Sequence, residues 1–174
     1  MKKLFLALVL ISSSLLYSQE KASVEKTMVN IQTGIVGAWL SGEFKLSNQI
    51  VLRPEIGIEP LWVIGNGSQW HANIRLEPRF YYNLEKRQQK GKDISKNSGN
   101  FFGIAFNYRP DAVIFSNKNV EAIESFSIVP KWGIRRNLGA NFHYEVGAGF
   151  GYRHETNYGN FAEIDLHLRI GYTF

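Results

Sequence analysis

Apolar and polar residues alternate with a period of two along most of the chain. In the last such segment Ile164, Leu166, Leu168, Ile170, Tyr172 and Phe174 share one face, and Glu163, Asp165, His167, Arg169 and Thr173 share the other. The segment before it sets Phe142, Tyr144, Val146, Ala148, Phe150 and Tyr152 against His143, Glu145, Gly147, Gly149, Gly151 and Arg153. Working backward, Phe126, Ile128, Pro130, Trp132 and Ile134 oppose Ser127, Lys131, Gly133 and Arg135, while Phe102, Ile104, Phe106 and Tyr108 oppose Gly103, Ala105, Asn107 and Arg109. Ala72 through Tyr82 on even positions oppose His71, Asn73, Arg75, Glu77, Arg79 and Tyr81. Ile50, Leu52, Ile56, Ile58 and Trp62 oppose Arg53, Glu55, Gly57 and Glu59, and Val36, Ala38, Leu40, Phe44 and Leu46 oppose Glu43 and Lys45. Seven repeats of this pattern predict seven half-buried strands, with no sustained helical period.

The second face is unusually polar, and it carries opposite charges in one register, as in Arg75-Glu77-Arg79 and Arg53-Glu55. It also carries glycines. A soluble sandwich leaves such a face wet. Inside a narrow closed barrel the charges pair and the glycines make room, and the apolar face looks outward at lipid. The candidate set for this lumen is Arg53, Glu55, Glu59, Arg75, Glu77, Arg79, Arg109, Lys131, Arg135, Glu145, Arg153, Glu163, Asp165 and Arg169. Their expected role is structural, since an eight-stranded barrel is just wide enough for side chains to fill.

Connections refine the count. "SNQ" (47–49) and "GAN" (139–141) read as tight turns, "GNGSQ" (65–69), "SNKNVEA" (116–122) and "NYGN" (157–160) as moderate loops, and 85–100 as one long, basic, mobile polar insertion. Transmembrane barrels of this kind have an even strand number with both ends on the periplasmic side. Alternating the connections backward from the last strand then demands an eighth strand, and the available material is 24–33, with a bend near Thr33–Gly34. In that orientation Phe44, Phe80, Tyr82, Phe142, Tyr144, Tyr172 and Phe174 fall near the periplasmic ends. Trp62, Trp70, Phe115, Phe126 and Tyr152 fall near the outer ends, which gives two aromatic girdles.

The beginning of the chain adds an address. Lys2 and Lys3 followed by an apolar stretch from Leu4 to Ile11, with Leu15 and Leu16, have the layout of a secretory signal peptide at 1–18, leaving a barrel domain at 19–174. The apolar run is shorter than the ~20 residues of a spanning helix. Without Lys2 and Lys3 the formal charge falls from +5 to +3, and an exported chain meets little nucleic acid, so that partner is set aside. There is no Cys, hence no disulfide framework and no lipid-bearing cysteine.

The stretches "LSNQIVLRPEIGI", "EPRFYYNLEKR", "PKWGIRRNLG", "YEVGAGFGY" and the terminal "LRIGYTF" resemble small Gram-negative outer-membrane β-barrel proteins of the OmpA/OmpX/OmpW-like type, and in particular a branch labelled outer-membrane protein β-barrel domain. The resemblance spans the chain after residue 18. It implies an all-β, eight-stranded antiparallel up-and-down transmembrane barrel in the outer membrane, in contact with lipid and lipopolysaccharide. It also implies insertion by the barrel-assembly machinery, with Tyr172 and Phe174 as the C-terminal signal that this machinery reads. No common activity follows from it.

Other motifs weigh little. "GAGFG" (147–151) lacks the following helix of a dinucleotide loop. His71, His143 and His167 fall on the polar face near Glu77, Glu145 and Asp165 without zinc-motif spacing, and no metal or cofactor is expected. Ser125 and His154 near the outer rim are the residues a lipid-modifying barrel enzyme would use. The expectation is a monomeric, non-enzymatic barrel acting in envelope integrity or through its loops. The alternatives are a narrow channel for small solutes, a barrel enzyme, or a secreted lipocalin-like barrel with its two faces inverted.

Overall fold

A computed structural model describes residues 22–35, 37–63, 67–116 and 123–174, with backbone alone at 61–63, 67–69 and 116. The expected signal peptide, Val36, the side chain of Trp62, and residues 65–66 and 117–122 of the expected connections lie outside the described residues, whereas 67–69, expected in a loop, already belong to the fourth strand. Nine antiparallel segments follow one another: β1 (Thr27–Gly34), β2 (Ala38–Lys45), β3 (Ile50–Val63), β4 (Gly67–Tyr81), β5 (Asn100–Arg109), β6 (Val113–Ser116), β7 (Ser125–Leu138), β8 (Phe142–Glu155) and β9 (Gly159–Thr173). The order β3-β2-β1-β9-β8-β7-β5-β4-β6, with β3 also pairing β4, closes the sheet into a barrel. β6 continues β5 beyond Pro110 against the same neighbour, β4, after a register shift at Trp70/His71. Nine segments therefore make eight barrel strands. The strand expected at 24–33 exists as β1 and closes the ring between β2 and β9.

Side-chain directions follow the alternation. On β7 the burial pattern is strictly in–out from Ser125 to Gly133, and on β5 from Phe101 to Asn107. Large apolar side chains such as Ile31, Leu40, Ile56, Phe102, Phe150, Ile164 and Leu166 are exposed, while Arg53, Glu77, Arg79, Arg135 and Glu145 are fully buried. The interior is charged and the exterior apolar, which contradicts the lipocalin-like arrangement. Inward glycines leave room for their neighbours: a Cβ on Gly133 would meet the Phe101 ring, and one on Gly147 the His167 imidazole.

The connection at 85–100, expected to be a mobile polar loop, is folded instead. α1 (Leu84–Gln89) and a 3-10 turn (Ser95–Asn97) fold across the end of the barrel that carries the C-terminus. The cause is apolar: Leu84 and Ile94 pack with Ala22, Val24, Val51, Tyr81 and Phe101 into a small cluster. Asn97, fully buried at φ 58, donates from Nδ2 to Glu43 at 2.7 Å and accepts the Glu25 backbone N–H at 2.8 Å. In the same connection partial burial opposes ionisation of Asp93, but hydrogen bonds from Ser95 and Asn137 outweigh it and hold the carboxyl below its usual range.

The opposite end is incomplete on one side. β1 pairs with β9 only from Asn30↔Thr173 to Gly34↔Arg169, and β2 pairs with β3 only up to Ala38↔Ile58. Above the β1–β2 hairpin, residues 159–168 of β9 and 59–63 of β3 have no strand beside them on that side among the described residues. Pro60, which has no N–H to leave unpaired, sits on the β3 edge of this notch, as prolines on strand edges do.

Candidate functional site: the charged lumen

Alternation on eight strands aims every second side chain at the barrel axis, so the site is assembled from all around the ring. All fourteen charged residues expected in the lumen make at least one ion pair there. The centre is Arg53, whose guanidinium contacts Glu43 and Glu145 at 3.2 Å each and Glu55 at 2.8 Å. Arg79 grips Glu145 with two parallel bonds of 2.9 and 2.8 Å, contacts Glu77 at 2.7 Å, and lies 4.1 Å over the Phe101 ring. Such two-pronged guanidinium–carboxylate pairs are the strong form of the interaction.

Toward the capped end, Arg135 binds Glu43 at 3.1 Å, Asn30 at 2.7 Å and Thr173 at 2.9 Å. Toward the notched end, Lys131 holds Asp165 at 2.9 Å, Arg75 reaches Asp165 and Glu55 at 3.4 and 3.5 Å, and Arg169 binds Glu55 at 2.8 Å while stacking 3.7 Å over Trp39. A second, wetter chain lines the mouth: Arg109 contacts Glu163 at 2.9 Å and Glu59 at 3.9 Å, and Arg153 contacts Glu163 and Glu155. Here a cleft of about 280 Å³ opens between Trp39, Glu59, Arg75, Arg109, Glu163 and Asp165. Its lining runs across both faces of β9 from Glu163 to Arg169, so it opens sideways at the notch as well as upward.

The histidines expected on the polar face are there. His143 is fully buried and hydrogen-bonded with Gln32 and Thr173, and His167 lies between Asp165 and Glu145. Among the described residues no group of three His, Cys, Asp or Glu side chains has the geometry of a metal site. Ser125 and His154 are not brought together: Ser125 points inward and is buried, while His154 is exposed and bonded to Asn160 at 2.8 Å. "GAGFG" lies inside β8 with no helix after it. Tyr172 and Phe174 sit on the outer face at the capped end, their rings 5.1 Å apart and edge-on. Glu43, Trp39, Gln32 and Asn30 belong to the lumen although the fourteen did not include them. For Glu43 the signal was its place with Lys45 on the polar face, and for Trp39 its place in the same odd-numbered register of β2.

Compared with known proteins, the chain matches no family model, no curated protein and no solved structure.

Proposed function

We propose that the chain is a small outer-membrane β-barrel protein, delivered by a signal peptide at 1–18 and inserted by the barrel-assembly machinery through its terminal Tyr172 and Phe174. The observation that carries this reading is the radial inversion: exposed Leu166, Ile164, Phe150 and Phe102 outside, fully buried Arg53, Arg79 and Glu145 inside. In water that arrangement would leave a broad apolar surface uncovered. In a bilayer the same surface faces hydrocarbon, and every internal charge finds a partner. The capped end then faces the periplasm, and lipid and lipopolysaccharide are its surroundings.

The protein is a non-enzymatic monomer that serves envelope integrity or surface interaction. The channel reading is the weaker one, because Arg53, Glu43, Glu145 and Arg79 pair with one another inside the lumen and are all closed to solvent. Membrane fractionation with gel migration before and after boiling tests the proposal. It predicts a membrane-bound chain whose unheated form migrates faster. A chain that stays soluble, or that migrates identically in both states, overturns it.

A further inference from the structure

The notch and the mouth cleft are one feature with two sides. The cleft of about 280 Å³ is lined by the inward Glu163, Asp165 and His167 of β9 and also by its outward Ile164, Leu166 and Leu168, so it wraps the edge of that strand. Ile35, Leu166 and Ile164 along this edge are 83%, 76% and 66% exposed, against 43% and 44% for Ile104 and Phe106, which stand between two strands. Backbone groups are bared as well. Because Phe174 N–H bonds to Val29, the amides of Ile164 and Leu166 point into the notch, where no strand meets them among the described residues.

Depth decides what can fill this opening. A strand rising about 3.4 Å per residue at a tilt of about 40° climbs roughly 2.6 Å per residue, so Leu166 stands about 21 Å above Phe174, within an apolar band about 25 Å tall. Hydrocarbon cannot satisfy an amide at that height, whereas a molecule with a polar head can.

The cleft has the chemistry of a balanced head site. Glu59 Oε1 accepts from Trp39 Nε1 at 2.9 Å and Asn73 Nδ2 at 3.0 Å. Its Oε2 faces Arg109 at 3.9 Å, too long for a hydrogen bond, while Arg109 holds Glu163 at 2.9 Å. Arg109 and Glu59 are also the least buried charged side chains of the cleft. A cation and a carboxylate that face one another loosely suit a zwitterion, with phosphate on the guanidinium and ammonium on the carboxylate. A head of one sign would meet one like-charged wall. The volume is close to the lower end of ordinary ligand sites, about 300–1,000 Å³, and fits a head rather than a whole lipid.

An apolar groove of about 550 Å³ continues from the same place on the outer wall. It is formed by Ile31, Ala38, Ile56, Ile58 and Ala72, and Trp39 lines both it and the cleft. Ile31 and Ile56 are nearer the capped end than Gly34 and Pro60, so the groove runs from the notch toward the middle of the bilayer. That is the course of an acyl chain whose head lies in the leaflet on the mouth side.

We propose that the notch admits an amphiphile from that leaflet, its phosphate-and-ammonium head held between Arg109 and Glu59 and its acyl chain laid in the groove over Ala38 and Ala72. This rests on the membrane reading above.

The test folds the full chain and its E59Q/R109Q and A72L variants in a non-ionic detergent, confirms folding by gel migration, and reads bound amphiphile by native mass spectrometry. The probes are lysophosphatidylethanolamine, lysophosphatidylglycerol, which lacks the ammonium, and phosphoethanolamine, which lacks the chain. The wild type binds lysophosphatidylethanolamine roughly tenfold or more tighter than E59Q/R109Q, the effect of losing charge-assisted contacts at both ends of the head. A72L, which fills the outward groove and leaves the lumen as it is, also binds it more weakly. Equal binding by folded wild type and folded E59Q/R109Q overturns the head site and leaves the membrane reading intact. An A72L variant that binds like the wild type overturns the groove. Two results need the wild type alone: equal binding of both lysolipids overturns the zwitterion, and displacement by phosphoethanolamine at matched concentration overturns the acyl chain. Failure of the wild type to give a heat-sensitive band in detergent or vesicles overturns the site and the membrane reading together.

Discussion

Replacing Glu145 with Gln is the sharpest perturbation of the lumen. The sealed cluster holds six cations, Arg53, Arg75, Arg79, Lys131, Arg135 and Arg169, against five carboxylates, Glu43, Glu55, Glu77, Glu145 and Asp165. Glu145 takes two bonds from Arg79 and one from Arg53, all three groups being out of solvent. Glu145→Gln keeps the shape and lowers the carboxylate count to four. It leaves both guanidinium groups short of countercharge where water cannot replace it. Breaking a buried pair from one side costs about 3–5 kcal/mol. Removing both sides, as in Arg79→Met with Glu145→Leu, leaves five cations against four carboxylates and costs less than the single change. Urea titration of vesicle-inserted protein, followed by tryptophan fluorescence and by the heat-sensitive gel band, measures both. A loss below about 1 kcal/mol for Glu145→Gln, the range of exposed ion pairs, would refute the sealed-network reasoning. So would a double variant less stable than the single one.

Other outcomes follow from the same geometry. Asn97→Ala removes the donor to Glu43 and places alanine at a left-handed φ, so it should cost about 1–3 kcal/mol and open 84–97 to added protease. Because Phe174 N–H bonds to Val29, even-numbered β9 residues direct their amides toward β1. Hydrogen exchange in detergent should therefore be fast at Ile164 and Leu166, beside the notch, and slow at Asp165 and His167, which face β8; equal rates would mean the notch is closed. Planar bilayers containing the wild type should show no resolvable steps, and steady current would contradict a sealed lumen. The hydrogen bonds to Asp93 lower its pKa in the folded state, so their contribution is complete above about pH 4 and is lost as acid carries the pH below that depressed value. The Ser95 amide shift, followed by NMR, should report that loss.

Much of this was legible in the chain. The period-2 pattern gave seven strands directly, and the even-number requirement supplied β1 before any pattern in 24–33 was strong enough to do so. The fourteen lumen charges were readable because an in–out alternation admits only two faces, and Arg53-Glu55 and Arg75-Glu77-Arg79 marked one of them as polar. The folded cap was not legible. Leu84 and Ile94 are isolated apolar residues in a run of charges, and their partners Tyr81, Phe101 and Val51 come together only when the ring closes. The notch was hidden for a similar reason. Strand lengths in β1 and β2 look ordinary until their neighbours are seen to run on beyond them.

The outward apolar wall can be measured directly, since a chain without cysteine accepts single reporters cleanly. Leu40→Cys, Ile104→Cys and Val146→Cys, each carrying a fluorophore, should be quenched by brominated acyl chains and shielded from a water-soluble thiol reagent in vesicles. Rapid reaction of those three sites with the water-soluble reagent, with no quenching by brominated lipid, would contradict a lipid-facing barrel.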